Sequence, residues 1–416
     1  MSEIETIAQT AGEADAPAGR PQITLLSGFH RRAEGGHPWV YSNEIVMDAA
    51  AKALLPGTLV TLRRAPSTGQ GERPFGVAMF NPHTLIAARL LDRDAGRAID
   101  KRFFTRRLER SLRLRERLYD APYYRLVHAE ADGLPGLVID RFGAVLVIEA
   151  NAAGMDRLTP VIIEALQGLL APEAIVLRND SPARTQEGLP LETAVALGAV
   201  AGAVMVEENG TVFAADVLAG QKTGWFFDQR DNRAFIAGLA GGARVLDLYC
   251  YSGGFAVAAA RHRALSVLGI DSSEPALALA AEAARKNGVA ERALFRRGDV
   301  FAEAAALAAA GERFDIVIAD PPPFARSKRA VPAALRGYRK LAHLAAQLTA
   351  PSGFLFLASC SYNVGVAEFA DAVRKGLADA GRVGRILRST GASPDHPVHP
   401  ALPESAYLKA LTLTLD

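Results

Sequence analysis

Hydrophobic and polar residues alternate over short distances in residues 21–95. The segments QITLLSG, GTLVTLRRA, PFGVAMFNP and TLIAARLLD each hold a few apolar residues and are separated by turn-forming residues. Alternation with a period of two is typical of half-buried β-strands, and short strands at this spacing favour a small β-barrel-like module. We therefore predict a β-rich domain over residues 21–95.

The period of the pattern changes in the next region, residues 96–204. The segment 99–120, IDKRFFTRRLERSLRLRERLYD, has helical spacing and a dense basic face. GLPGLVIDRFGAVLVIEA predicts a β-hairpin that turns around Arg141, Phe142 and Gly143. MDRLTPVIIEALQGLLA predicts a second helix, and AIVLRND a further strand. Together these elements predict a compact α+β domain.

Strands and helices alternate regularly from residue 205 to residue 416. Strand-like segments include ARVLDLY, SVLGID, ALFRRGD, FDIVIAD and GFLFLAS, and a helical pattern follows all of them except ALFRRGD. This alternation is typical of parallel βαβ units in a doubly wound sheet. The predicted fold class is therefore α/β, with a Rossmann-like C-terminal domain preceded by the β-rich domain and the α+β domain.

The composition is that of a soluble globular protein. Of the 416 residues, 50% are hydrophobic and 22% are charged, and the net charge is +2. Two cysteines are too few for a disulfide framework, and no Cys/His cluster has metal-ligand spacing.

Residues 1–20 lack the apolar core of a signal peptide and predict a disordered tail. The longest apolar run, residues 194–206, is too short to span a bilayer. We expect a cytoplasmic protein.

Acidic residues and glycines follow three successive predicted strands: Asp247, Gly253 and Gly254 after the first, Asp271 after the second and Asp299 after the third. In an open α/β sheet ligands bind at the carboxyl ends of the strands, where glycine allows close approach and a carboxylate accepts from ribose hydroxyls or an adenine amine. The spacing is not G-x-G-x-x-G, which weakens a dinucleotide interpretation. The ordered set resembles the class I S-adenosylmethionine-dependent methyltransferases, and that resemblance implies S-adenosylmethionine as cofactor.

The fourth and fifth strands end in residues that can do chemistry on a base. ADPPPF places Asp320 before three prolines, and this stiff turn can hold its carboxylate against an amine or ring N–H while Phe324 stacks on the base. A Cys360 thiolate can add to carbon 6 of a pyrimidine and so activate carbon 5 towards methylation. A free cysteine beside an apolar strand is also a common packing residue. Cys250, too distant for a disulfide, is predicted to be buried packing.

Longer motifs carry a more specific resemblance. HPWVYSNEI, EADGLPGLVIDRFG, GQKTGWFFDQRDNR, LDLYCYSGGFAV, DPPPF, RGYRKL, SCS and DHP, which span the chain from about His37 to Lys409, are similar to the bacterial large-subunit ribosomal RNA 5-methylcytosine methyltransferase I family. The resemblance implies an RNA-binding PUA domain over residues 21–95, a methyltransferase domain over residues 205–416, and Cys360 as the nucleophile. Two departures are Pro323, where members commonly have lysine, and SYNV after the cysteine.

The predicted site residues fall into three groups. The catalytic residues are Cys360 and Asp320. We expect cofactor contacts, several of them implied by the resemblance, from Phe227, Asp228, Gln229, Arg230, Asp247, Tyr249, Ser252, Gly253, Gly254, Phe255, Asp271, Asp299, Val300, Asp320 and Pro321. We expect contacts with large-subunit rRNA from Arg31, Arg32, Phe324, Arg326 and Lys328, with Arg329 beside them. The resemblance also admits a homodimer.

The basic helix and the chemistry each leave alternatives open. Lys101, Arg102, Arg106, Arg107, Arg110, Arg113, Arg115 and Arg117 either follow an RNA backbone or form a solvated face. DPPPFARSK is also similar to the turn of large-subunit guanine-N7 methyltransferases, and methylation of guanine N7 or of an exocyclic amine needs no cysteine. A cofactor-binding assembly factor without catalysis and a small-molecule methyltransferase are further alternatives. The leading hypothesis is methylation of carbon 5 of a cytosine in 23S rRNA.

Overall fold

The computed structural model describes residues 19–66 and 73–416, which form two compact units. The first unit extends through Ala201 and includes residues 217–224 and 397–403, and the second comprises residues 202–216, 225–396 and 404–416. Residues 1–18 of the predicted disordered tail lie outside the described residues. Arg20, the last residue of the predicted tail, is buried and donates to the carbonyl oxygens of Ala95 and Arg97.

The N-terminal part of the first unit is a five-stranded sheet with two short helices. Their bounds are β1 Gln22–Thr24, α1 His30–Glu34, β2 Trp39–Val40, α2 Ala49–Lys52, β3 Thr58–Arg63, β4 Pro74–Phe80 and β5 Ala88–Asp92. The strand order is β1-β3-β4-β5-β2, with β1 parallel to β3 and the other pairs antiparallel. Val60, Leu62 and Phe80 are fully buried on this sheet, and β4 is buried at every position after Pro74.

A second five-stranded sheet with two long helices completes the first unit. The bounds are α3 Lys101–Leu118, β6 Tyr123–His128, β7 Leu137–Phe142, β8 Val145–Ala150, α4 Ala153–Leu170, β9 Ala174–Asn179, α5 Ala183–Gln186 and β10 Glu192–Leu197. The order is β10-β9-β8-β7-β6. The predicted hairpin forms between β7 and β8, where Gly143 adopts a φ of +65° that favours glycine.

Helix α3 corrects one prediction about the basic face. Its buried side carries Phe103, Phe104 and Leu108 and also Arg115, whose side chain is fully buried. The guanidinium of Arg115 donates to both carboxylate oxygens of Asp132 at 2.6 and 2.7 Å. Arg115 is therefore a structural residue, because its helical position faces the core and its charge is neutralised there.

The second unit contains a two-stranded hairpin and a seven-stranded sheet covered by helices. The bounds are β11 Val204–Glu208, β12 Thr211–Ala215, α6 Arg230–Gly238, β13 Arg244–Leu248, α7 Gly254–Arg261, β14 Ser266–Asp271, α8 Glu274–Lys286, β15 Ala293–Arg297, α9 Val300–Ala309, β16 Phe314–Ala319, α10 Val331–Leu348, β17 Thr349–Ser359, α11 Val366–Asp379, β18 Gly384–Thr390 and β19 Lys409–Leu415. The large sheet has the order β15-β14-β13-β16-β17-β19-β18.

The register of the central strands determines where the site lies. β13, β16 and β17 are parallel neighbours, with Leu248 opposite Ala319 and Ala319 opposite Leu357. The residues that follow these strands consequently emerge at one edge of the sheet, where open α/β sheets bind ligands.

The predicted α/β class is confirmed. Strand β19 differs from the parallel strands because it pairs antiparallel with β17. Within the described part of the chain, no helix combines the length and the apolar character needed to cross a bilayer.

Candidate active site

The turn between β13 and α7 is tightly wound. Tyr249, Tyr251 and Gly253 have φ values of +63°, +48° and +81°, so the chain adopts left-handed conformations at alternate positions. A side chain at Gly253 would place its Cβ 2.9 Å from the Cβ of Ala280 on α8. The glycine is therefore required both by its backbone angle and by the close approach of α8. Phe255 is buried on α7, with its ring 5.1 Å from that of Phe356.

Two buried oxygens at this turn have no protein donor. Asp247 is buried, and its Oδ2 accepts from the backbone N–H of Ala256 at 2.9 Å. Asp247 Oδ1 and Ser252 Oγ are buried without a hydrogen-bond partner among the described residues. Burial raises the pKa of Asp247 well above its usual value. Because buried polar atoms are normally hydrogen-bonded, these oxygens indicate a ligand that donates hydrogen bonds beside the start of α7.

The next two strands bring Asp271 and Asp299 close to Tyr249. Asp271 accepts from the backbone N–H groups of Tyr251 and Ser273, both at 2.9 Å. Asp299 is exposed and caps α9 by accepting from the N–H of Ala302 at 2.9 Å. Burial raises the pKa of Tyr249, and the two carboxylates raise it further. Both carboxylates therefore lie near Tyr249, although each already accepts hydrogen bonds from backbone N–H groups. Val300, next to Asp299, is buried in the core.

One member of the FDQR segment reaches the end of β16. Gln229 is buried, and its Nε2 donates to Asp320 Oδ2 at 2.9 Å. Its Oε1 accepts from Asn232 Nδ2 at 2.7 Å, which fixes the orientation of the amide. Gln229 therefore positions the carboxylate that the sequence predicts to be catalytic.

The other members of the segment contact the protein interior. Phe227 is buried, and the Asp228 carboxylate accepts from the Tyr407 hydroxyl. The guanidinium of Arg230 lies over the ring of Phe227 and within 3.4 Å of Glu208. These contacts pack the FDQR segment against the protein interior. A contact of Phe227, Asp228 or Arg230 with the cofactor stays a prediction.

Cys360 follows β17 directly and is half-buried. Its Sγ lies 3.9 Å from the carbonyl oxygen of Pro321, the residue after Asp320. The two predicted catalytic residues are thus brought to the same edge of the sheet. The neighbours of Cys360, Ser359 and Ser361, are fully buried, so the backbone on both sides of the thiol is anchored in the core.

Tyr338 and Lys409 hold this segment in place, and neither residue was predicted from the sequence to have a role. The hydroxyl of Tyr338 lies 2.8 Å from Ser359 Oγ and 2.9 Å from Ser361 Oγ. The ammonium of Lys409 donates to the carbonyl oxygens of Ser361 and Val364 at 2.6 and 2.8 Å. The RGYRKL motif and a lysine at the start of an apolar strand were the available signals for these residues.

Lys409 also affects the electrostatics of the thiol. It is buried, and burial lowers the pKa of its ammonium, while negative charge on Cys360 raises that pKa. Because the interaction is mutual, the ammonium favours the thiolate form of Cys360.

The other cysteine has a different environment. Cys250 is buried, and a side chain on Gly269 would lie 3.0 Å from its Sγ. Burial, with Asp247 and Asp271 nearby, raises the pKa of the Cys250 thiol well above its usual value. Cys250 is therefore packing, as the sequence predicts, and lacks the character of a nucleophile.

The proline turn carries Phe324 and three exposed cations. The ring of Phe324 is half-buried and packs 4.7 Å from Tyr338 and 6.3 Å from Phe301. Gly337 makes room for it, because a Cβ there would lie 3.1 Å from the ring. Pro321 is buried, whereas the side chains of the basic residues are all exposed: Arg326, Lys328 and Arg329. Stacking of Phe324 on a base stays a prediction, since its ring is already packed against Tyr338.

The two N-terminal arginines lie in the first unit and differ from each other. Arg31 is exposed, whereas Arg32 pairs with Glu44 at 2.6 Å and lies 4.6 Å above the ring of Tyr41. Arg32 is therefore engaged in the fold of its own sheet, and Arg31 is the more accessible of the pair.

Comparisons with known proteins identify the family. Residues 175–411 match the S-adenosylmethionine-dependent methyltransferase model, and residues 23–93 match the PUA-like domain model. The chain belongs to the S-adenosylmethionine-dependent methyltransferase family. Two relatives are named ribosomal RNA large subunit methyltransferase I. The protein of Shewanella amazonensis is 35% identical and that of Aeromonas hydrophila 36% identical, each across 94% of this chain and 98% of the relative.

Solved structures agree with this fold. A protein from Streptococcus mutans, described as a SAM-dependent methyltransferase, superposes with a TM-score of 0.78 at 20% identity over 95% of this chain and 100% of its own. A methyltransferase complexed with SAH superposes with a TM-score of 0.79 at 21% identity over the same shares. S-adenosylmethionine is therefore the cofactor of this methyltransferase. The unpaired buried oxygens of Asp247 and Ser252 and the close glycine turn fit a ligand with an ammonium group and ribose hydroxyls.

Proposed function

We propose that this methyltransferase modifies carbon 5 of a cytosine in large-subunit (23S) rRNA, through a covalent bond between Cys360 and the base. The names of the relatives support the ribosomal substrate, and the PUA-like domain supports RNA as the partner. This substrate is made in the cytoplasm, which is where we expect the enzyme to work. A homodimer stays a prediction that light scattering of the purified protein would check.

The residues at the ends of β13, β14 and β15 are the ones that would hold the cofactor. Asp247 and Ser252 offer buried acceptors, Asp271 and Asp299 offer carboxylates, and the turn at Gly253 allows close approach. When bound, S-adenosylmethionine supplies an electrophilic methyl group. The protein's own contribution is to orient the base and to make its carbon 5 nucleophilic.

Cys360 supplies that activation in the proposed mechanism. Its thiolate adds to carbon 6 of the cytosine, which removes the aromaticity of the ring and places electron density on carbon 5. After carbon 5 is methylated, transfer of its proton to water restores the double bond between carbons 5 and 6 and expels the thiolate. Lys409 favours the thiolate at the start of this cycle and Tyr338 fixes the segment that carries it.

Asp320 is suited to hold the base during this addition. Its carboxylate, fixed by Gln229, can accept from the exocyclic amine of cytosine, a group that uracil lacks. The stiff proline turn keeps the carboxylate and the thiol at one edge of the sheet. This arrangement supports a preference for cytosine over uracil.

The observation that carries the proposal is the 3.9 Å separation between Cys360 Sγ and the Pro321 carbonyl oxygen, which joins the thiol to the Asp320 turn. The test is methyl transfer from labelled S-adenosylmethionine to large-subunit rRNA that lacks its native methylation, with the nucleosides identified by mass spectrometry. We expect 5-methylcytidine from the wild type and none from Cys360→Ala. A methylated guanosine or adenosine, formed equally by the variant, would contradict the proposal and favour direct attack by a base nitrogen.

A further inference from the structure

Helix α3 presents a row of exposed arginines along one side. The row, called here the arginine ridge, consists of Arg102, Arg106, Arg110, Arg113 and Arg117. Successive members are separated by three or four residues, so they lie on one face of the helix. At 1.5 Å per residue the ridge is about 22 Å long.

Most of the ridge has no acidic partner among the residues that the structure describes. Within residues 19–66 and 73–416, Arg102, Arg106, Arg113 and Arg117 form no ion pair, and Arg110 donates to the backbone carbonyl oxygen of Asp132. Like charges spaced by four residues destabilise a helix. An anionic partner would relieve that repulsion, so the ridge has the character of a binding surface.

A basic cleft opens beside the ridge. It has a volume of about 230 Å³ and is lined by Asp92, Arg97, Phe103, Arg106, Arg107 and Arg110. Four guanidinium groups therefore face one carboxylate. Arg97 is paired within the fold, with Asp92 at 3.6 Å and Asp94 at 3.3 Å.

Arg107 is largely buried in this cleft, with 19% of its side chain exposed. It lies 3.4 Å from Asp92 and donates to the carbonyl oxygen of Leu91 at 2.7 Å. Burial and the charge of Arg110 both lower its pKa. The four arginines and one aspartate that line the cleft leave a net positive charge, which a phosphate group would neutralise.

We propose that the arginine ridge and the adjoining cleft bind the phosphate backbone of the RNA substrate, with the ridge following one strand and the cleft taking one phosphate. This inference rests on the proposed function, which supplies an RNA substrate. A row of guanidinium groups at regular intervals complements the regularly spaced phosphates of RNA, and guanidinium binds phosphate in a bidentate fashion. Such contacts orient the RNA on the enzyme without reading its bases.

The test compares RNA binding by two matched full-length variants. The ridge variant carries Arg102→Gln, Arg106→Gln and Arg113→Gln, and the control variant carries three exposed changes elsewhere, Arg285→Gln, Lys286→Gln and Arg292→Gln. Binding to a large-subunit rRNA fragment is measured over a series of salt concentrations. We expect the ridge variant to lose roughly tenfold or more in affinity at low salt, and its log–log salt slope to decrease by about one for each arginine removed.

The control variant should keep the wild-type affinity and slope. Circular dichroism confirms that both variants are folded. Equal binding by the ridge variant and the wild type would overturn the inference. It would also be overturned if the ridge variant lost binding to vesicles of anionic phospholipid while keeping RNA affinity, since the occupant would then be a membrane surface.

The nucleoside product separates this inference from the proposed function. If the ridge variant loses RNA affinity while the wild type yields a methylated guanosine, the ridge inference stands and the cytosine proposal fails. If the wild type yields 5-methylcytidine and the ridge variant binds RNA normally, the cytosine proposal stands and the ridge inference fails.

Discussion

Lys409 Nζ lies 2.6 Å from the carbonyl oxygen of Ser361, the residue that follows Cys360. The ammonium is buried and also donates to Val364 at 2.8 Å. A buried positive charge at this position fixes the backbone after the proposed nucleophile, Cys360, and favours its thiolate. Lys409, the first residue of β19, thus contacts the segment that carries the proposed nucleophile.

Replacing Lys409 with methionine should slow methyl transfer and change its pH dependence. Negative charge on Cys360 raises the pKa of Lys409, so removal of the ammonium takes away an interaction that favours the thiolate. We expect the rate to fall roughly tenfold at pH 7, with the ascending limb of the pH–rate profile moved to higher pH. The exposed substitution Lys286→Met serves as the control. An unchanged pH–rate profile in Lys409→Met would show that the ammonium is purely structural.

Tyr338→Phe should loosen the segment on both sides of Cys360. It removes the hydroxyl that contacts Ser359 and Ser361 at 2.8 and 2.9 Å, in a buried environment. Loss of these hydrogen bonds should lower the free energy of unfolding by about 1–2 kcal/mol. Because the thiol is then less well placed, kcat should fall while KM for the RNA changes little. Chemical denaturation and steady-state kinetics check the two effects, and a change in KM alone would contradict the positioning role.

The sequence predicted the parts of the site that depend on strand order. Strand–helix alternation places the residues after β13, β16 and β17 at one edge, and this brings Asp320 and Cys360 together. Lys409 and Tyr338 were missed because they reach this segment only through tertiary packing of β19 and α10. Arg115 was misassigned because the spacing of arginines along a helix cannot show which of them meets a carboxylate 17 residues away.

Asp247→Asn should stabilise the protein while weakening cofactor binding. The folded protein raises the pKa of Asp247, so the native state binds more protons than the unfolded state above about pH 4. Stability contributed by this group therefore falls as the pH rises from about 4 through the raised pKa. The asparagine side chain of the variant does not ionise, so the variant does not lose this stability as the pH rises. Its melting temperature should therefore exceed that of the wild type at pH 7, and the difference should vanish below pH 4.

Calorimetry of cofactor binding completes that prediction. The unpaired Oδ1 of Asp247 becomes a neutral amide atom, so we expect affinity for S-adenosylmethionine to fall roughly tenfold. Wild-type affinity in Asp247→Asn would contradict the assignment of this carboxylate to the cofactor.

The central claim is that Cys360 forms a covalent bond with the base, and the most direct test is to trap that bond. RNA containing 5-fluorocytidine at the target position cannot lose a proton from carbon 5 after methylation, so the thiol is not expelled. With S-adenosylmethionine present, we expect the wild type and Cys250→Ala to form a denaturation-resistant complex with this RNA, whose tryptic peptide carries the nucleotide on Cys360. We expect no complex from Cys360→Ala. A complex that persists in Cys360→Ala, or methylation of unmodified cytosine without any trapped wild-type complex, would contradict the account.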